Sequence, residues 1–416
     1  MKKLVATLCS LLISTTIACA SDLSHSPDEE LPKYNLCLTT PPSGNRIYFG
    51  IDVKTHSLSW GQRMQDLDEL NSLHIFSGQN LTFTKFVEVL PKLSKYTNFS
   101  ILRLEQLTYD FKFIPHAETF QALELALRKF SNLKKLVIDN NHLDQRIIRI
   151  LAPTLPDTLE ELDLSGNTID PEELLSLLSS DLPSSLRTLK LPNAPLKSLI
   201  LRFTSNAPQD LLSKLPSGLH VLDLGTTEFN DIEIQNLPQF TNLTTLRLTY
   251  SGKNKELAQL ISPLSHLREL DLASEKDTQN MDAVMQALPI SLQTLKLENW
   301  LDEKQTESLI QSIPNDLTAL YLRGLKIGDP AMESLISIFS HKIKSLGVTD
   351  CFAYNDKRVL QILISAVAVS ENFPQLQELK VRYSNDLTPT DTKNLINQLK
   401  LNTTLQDLSL SNSSEI

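Results

Sequence analysis

One apolar phrase, leucine-x-x-leucine-x-leucine, is restated thirteen times between Leu70 and Leu410. It opens on Leu70, Phe99, Leu133, Leu159, Leu186, Leu219, Leu243, Leu267, Leu292, Leu317, Ile343, Leu376 and Leu405. A chain that repeats itself at intervals of roughly two to three dozen residues is built from one small unit used many times, and such units stack. In an extended segment successive side chains point to opposite faces, so Leu162 and Leu164 turn inward while Asp163 between them faces out. One strand of this kind cannot bury its leucines alone. Stacking parallel neighbours creates a continuous core that no single repeat possesses.

The segments between phrases predict helices. Asp170-Pro171-Glu172-Glu173 followed by Leu174, Leu175, Leu177 and Leu178 reads as an N-cap, a first-turn proline, acidic residues at the positive helix end and an apolar face. The same design recurs at Asp329-Pro330, before Leu335, Ile336 and Phe339, and at Thr388-Pro389, before Leu395, Ile396 and Leu399. Leu182-Pro183, Leu215-Pro216, Leu288-Pro289 and Ile313-Pro314 then stop the helix ahead of the next strand. Each repeat therefore reads strand, loop, helix, turn.

Two copies are complete: Leu133, Leu136, Ile138, Asn141, Leu143, and Leu159, Leu162, Leu164, Asn167, Ile169. On these residues the chain from Leu70 onward resembles the leucine-rich-repeat superfamily, and its strand-loop-helix units resemble the ribonuclease-inhibitor-like subclass. The resemblance implies an α/β leucine-rich-repeat solenoid (horseshoe) of about 13 repeats, with parallel β-strands on the concave face and helices on the convex face. The central copies are shorter than is usual for that subclass, so short or single-turn convex helices are expected there.

Residues 1–20 read as a secretory signal peptide: Lys2 and Lys3, an apolar run from Leu4 to Ile17, and small residues at Ala18-Cys19-Ala20. The run is too short for a membrane span. Cys19 opens a competing reading as a lipid anchor, against which Thr16 stands where an aliphatic residue is usual. Residues 21–69 read as an N-terminal cap segment, with a strand expected at Arg46-Ile47-Tyr48-Phe49-Gly50-Ile51, and residues 70–416 as the repeat domain. At the other end Leu405, Leu408 and Leu410 form the thirteenth phrase, covered on one side by the helix before it, an arrangement that invites fraying or self-association.

Removing the leader leaves 37 basic and 49 acidic residues, a net charge of −12, which disfavours nucleic acid or an anionic membrane as the main partner. Only Cys37 and Cys351 remain, about ten strand spacings of roughly 4.8 Å apart, far beyond the ~7 Å reach of a disulfide. Cys351 falls where Asn141 and Asn167 fall, and the packing role of a small residue accounts for it. The compact leader and the lack of cysteine-rich caps favour a bacterial exported protein, secreted, periplasmic or delivered to a host. The sequons at Asn80, Asn98, Asn242, Asn402 and Asn412 are then coincidental. The Leu-Pro, turn and strand repeats are similar to those of effector and virulence-associated proteins of host-associated bacteria.

No catalytic motif stands out. HExxH, GxxxxGK[ST] and GxSxG are absent, and the eight histidines are dispersed without metal-ligand spacing, so no cofactor or metal is expected. Asp28-Glu29-Glu30 and Glu172-Glu173 are explained by a solvated leader and a helix N-terminus.

Function is then expected on the sheet face. Its middle outward column reads His74, Arg103, Val137, Asp163, Lys190, Asp223, Arg247, Asp271, Lys296, Tyr321, Gly347, Lys380, Ser409. Charge alternates from Asp163 to Lys296, predicting a self-neutralising ladder. Beyond it, Tyr321, Arg323, Lys380, Arg382 and Tyr383 bring residue types enriched in interface hot spots, with Gly347 leaving a dip between two ridges and Arg247 with Tyr250 as an outpost. These seven are the candidate partner-binding residues, set against ordinary surface variation over thirteen repeats. The expected function is a non-catalytic module binding a protein partner. The alternatives are a regulator of a partner enzyme, such as a GTPase-activating or ubiquitin-pathway effector, and a lipid-anchored structural envelope component.

Overall fold

In the computed structural model the described residues are 35–39, 46–52, 57–60, 72–76, 100–105, 124–125, 127–139, 151–193, 212–230, 233–274, 281–299, 301–351, 357–383 and 389–412. The signal-peptide and Cys19 readings and the complete turn at Asn141 lie outside them.

Thirteen strands follow the thirteen phrases: β4 (Ser72–Phe76), β5 (Ile101–Glu105), β6 (Lys135–Asp139), β7 (Glu161–Asp163), β8 (Thr188–Lys190), β9 (Val221–Phe229), β10 (Thr245–Tyr250), β11 (Glu269–Ser274), β12 (Thr294–Asn299), β13 (Ala319–Arg323), β14 (Ser345–Thr349), β15 (Glu378–Tyr383) and β16 (Asp407–Asn412). Each pairs in parallel with the next, in sequence order. The chain therefore has the α/β solenoid architecture that the repeats require. The strand expected at 46–51 is β2 (Arg46–Asp52). It is joined by β1 (Asn35–Thr39) and β3 (Ser57–Trp60), which the sequence reading did not anticipate. β1 pairs antiparallel with both β4 and β2, and β3 with β2, so an antiparallel meander extends the first parallel edge.

A regular backbone column sets the register. The carbonyl of the residue before each strand accepts the N–H groups of two successive residues in the following repeat. Thr244 thus receives Arg268 and Glu269, Arg268 receives Gln293 and Thr294, and the series runs unbroken from Ser100 to Gln377. The prolines act one step earlier: the carbonyls of Pro156, Pro183, Pro216 and Pro289 accept the N–H of the opening leucine three residues on, fixing a tight turn. Phe130, Phe240 and Phe373 make the same turn and also fill the core.

On the other side of the sheet lie α1 (Pro171–Leu178), α2 (Asn254–Ile261), α3 (Met281–Ala287), α4 (Glu303–Ser312), α5 (Asp329–Phe339), α6 (Lys357–Ala368) and α7 (Pro389–Leu399). From α2 to α7 each packs on the next. The short central repeats carry short convex segments as expected: a single 3-10 turn at Leu237–Gln239, then 8 residues in α2 and 7 in α3. Asp170 is the N-cap of α1, although its side chain makes no capping bond. Asp329 instead begins α5, whose N-cap is Gly328. Helices need 8–10 Å between axes while strands need under 5 Å, so a one-to-one stack bends with its sheet inward.

The core is the leucine column. Leu133, Leu159, Leu186, Leu219, Leu243, Leu267, Leu317, Ile343 and Leu376 are fully buried, whereas Leu405, Leu408 and Leu410 of the last repeat are only partly covered. Asn167 ends its strand by donating to the carbonyls of Ile138 (2.6 Å) and Leu164 (2.8 Å). Cys351 occupies the same position and does the same work more weakly. It is buried, and its thiol donates to Leu322 O (3.3 Å) and Thr349 O (3.1 Å). The turn residue before each is left-handed, Gly166 at φ 71° and Asp350 at φ 51°.

Candidate partner-binding face

The middle outward column predicted from the sequence is in register throughout. His74 pairs with Arg103, Arg103 with Val137, and so on through Tyr321 with Gly347, Gly347 with Lys380 and Lys380 with Ser409. One irregularity interrupts the sheet: Arg247 pairs with Asp223 but Thr249 pairs with Glu228, a bulge in β9. Register does not guarantee exposure, however. Val137 and Asp163 are both buried, so the middle column offers little surface at β6 and β7, where Lys135 and Glu161 beside it stay partly exposed.

The alternating charges form ion pairs across strands. Lys190 Nζ lies 2.7 Å from Asp163 Oδ2, and Arg247 sits between two acids, 3.7 Å from Asp223 and 3.6 Å from Asp271. Lys296 departs from the simple ladder and bonds Glu269 (2.6 Å) rather than Asp271. Burial raises the Asp163 pKa, but hydrogen bonds from Lys190 and Ser165 outweigh it and hold the carboxyl below its usual value. At Asp271 burial wins, and the pKa is raised despite Arg247 and Lys296.

The C-terminal cluster differs most from expectation. Gly347 leaves no open dip, because the Tyr321 ring lies across it. A Cβ at Gly347 would come within 2.4 Å of Tyr321 Cδ1. From there the Tyr321 hydroxyl reaches over β14 and donates to Glu378 Oε2 on β15 (2.6 Å). Glu378 also receives Lys380, whose Nζ stands 5.9 Å from the centre of the Tyr321 ring. Burial and the bond to Glu378 raise the Tyr321 pKa; for Glu378, the bonds from Lys380 and Tyr321 overcome burial and lower it. Arg323 and Arg382 flank this group at the next outward position, on either side of Thr349. Each has an acidic neighbour, Arg323 with Glu298 at 3.3 Å and Arg382 with Asp350 at 3.7 Å; the Arg323 side chain is more than half exposed, whereas Arg382 is largely covered.

The candidate site is thus a side-chain platform on β12 to β15, anchored by Tyr321, Glu378 and Lys380 and edged by Arg323 and Arg382. A solved internalin from Listeria monocytogenes is similar to this chain, with 18% identity over 79% of this chain and 94% of that one and a TM-score of 0.36. No family model and no curated protein matches the chain.

Two of the seven sequence candidates fall away from this platform. Tyr250 is a correction: it is fully buried, and its hydroxyl donates to Lys253 O (3.1 Å), because it shares the inward parity of Leu246 and Leu248. Arg247 remains on the face but stands alone there, held between Asp223 and Asp271. Tyr383 ends β15 opposite Asn412, and the reading of its side chain lies outside the described residues. Glu298 and Glu378, which sequence reasoning passed over, are part of the arrangement. The signal for Glu378 was its place two residues before Lys380 on the same face of one strand. Among the described residues no group of His, Cys, Asp or Glu has a metal-binding arrangement, and no helix is long and apolar enough to cross a membrane. Burial pushes the Cys351 thiol up to about 12, which keeps it protonated.

Proposed function

We propose that this chain is a non-catalytic interaction module that binds a protein partner through the sheet face of its C-terminal half. The observation that carries the reading is the platform itself. Tyr321 is fixed by Gly347 and Glu378, so its ring is presented at little further entropy cost, while Arg323 beside it is more than half exposed (55%) and keeps donors free. A self-neutralised surface gives specificity by matching pairs of charges rather than by a net field. The leader at 1–20 supports export, residues 21–69 act as the N-terminal cap, and the partner is a host or envelope protein.

The test is capture from eukaryotic-cell lysate and from bacterial envelope extract, followed by a dissociation constant for the purified partner. An Arg323→Ala/Arg382→Ala variant should bind at least tenfold more weakly, while Lys393→Ala on α7 should bind as the parent does. Equal affinity of all three chains would remove the function from this face.

A further inference from the structure

We propose that two copies of this chain join edge to edge through β16, antiparallel across a two-fold axis at Ser409, so that two sheets become one. β16 has β15 on one side and no described strand on the other. This outer edge, unpaired among the described residues, has a definite polarity. Immediately after β7 and β8 the next inward leucine donates its N–H toward the following repeat, Leu164 to Lys190 O and Leu191 to Asp223 O. Gln406 and Asp407, by contrast, donate back to Gln377. By the same alternation Leu408 and Leu410 direct their N–H and C=O groups out of the edge.

That parity selects the partner. With Ser409 opposite its own copy, Leu408 faces Leu410 of the other chain, and both residues belong to the set with outward backbone groups, so each pair exchanges two hydrogen bonds. The inward leucines, only partly buried at this end, meet leucines. On the sheet face Asp407 meets Ser411, so no like charges oppose one another. A shift by one step in either direction loses a leucine pair: centring on Leu408 sets Leu410 against Gln406, and centring on Leu410 sets Leu408 against Asn412. The strand also lacks the usual devices that blunt an edge, having no proline, no lysine and no bulge between Asp407 and Asn412. Asn402 holds it in place: its amide donates to Val367 O (2.6 Å) while its carbonyl oxygen accepts Thr404 and Leu405 N–H, each at 2.9 Å.

The experiment is sedimentation equilibrium of the whole chain, with Ser409→Lys and Ser409→Asp variants alone and mixed. Ser409 is exposed and distant from the core column, so both variants keep the fold, checked by circular dichroism. The parent should sediment at twice the monomer mass at tens of micromolar, and each variant, which places like charges on the axis, should dissociate at least tenfold more readily. An equimolar mixture should recover association, since lysine then faces aspartate. A monomeric parent at 100 micromolar, or association of the variants that mixing does not alter, would overturn the proposal.

Discussion

Gly347→Ala tests whether the Tyr321 platform is a real contact. The new Cβ would lie 2.4 Å from Tyr321 Cδ1 and 3.2 Å from Cγ, so the ring must lift and its hydroxyl must leave Glu378. A hydrogen bond to a charged group is worth ~1.5–3 kcal/mol, and solvent access at this surface reduces the share lost to about 1 kcal/mol. Uncovering one ring face, roughly 40 Å², adds about 1 kcal/mol. Against this, Gly347 is not among the glycines with positive φ, so alanine fits its backbone and gains ~0.5–1 kcal/mol by restricting the unfolded chain. The net expectation is destabilisation by about 1 kcal/mol. In a Tyr321→Ala background the ring is gone, and the same substitution should stabilise by ~0.5–1 kcal/mol. The assay is equilibrium urea unfolding of the four chains, with hydrogen exchange of β13 to β15 amides to locate the change in a stack that opens piecewise. Stabilisation of equal size in both backgrounds would refute the contact.

Other substitutions probe the core, the ladder and the strand-end position. Leu246→Ala, at a fully buried site in mid-stack, should cost ~2–5 kcal/mol, and Leu408→Ala, at the partly covered end, under half as much in dilute monomer, both read by urea unfolding. The Asp163 pKa is depressed on folding, so its contribution is complete above its unfolded value and is lost as pH falls through the folded one; Asp163→Asn should remove that acid-side loss from a stability–pH curve. Asp271 has the opposite sign: its raised pKa is a penalty present at neutral pH and relieved on acidification, so Asp271→Asn should be neutral or stabilising at pH 7. The Cys351 peptide should resist iodoacetamide at pH 8 in the native chain and label fully in urea by mass spectrometry, and Cys351→Asn should fold, because Asn167 fills the equivalent position.

The fold was legible because the inward leucines declare strand register directly, and every member of the outward column found its expected neighbour. What alternation alone could not supply was which neighbour a long side chain would choose. Lys296 reaches Glu269 rather than Asp271, and Tyr321 crosses a whole strand to Glu378, because a glycine on the intervening strand gives it a floor. Tyr250 was misread for another reason: its residue type suggested an interface, while its parity with Leu246 and Leu248 already assigned it to the core. Val137 and Asp163 are buried although their parity is outward, because parity sets the direction of a side chain and not its exposure.

The central claim is that a partner sits on the sheet and not on the helices. Lysine-directed cross-linking of the purified complex, read by mass spectrometry, addresses it most directly. Lys296 and Lys380 lie on the sheet face, whereas Lys255, Lys304 and Lys393 are exposed on the helical side. Partner cross-links concentrated on Lys296 and Lys380, with the helical lysines joined only to one another, are the predicted result. Partner cross-links concentrated on the helical lysines would contradict it.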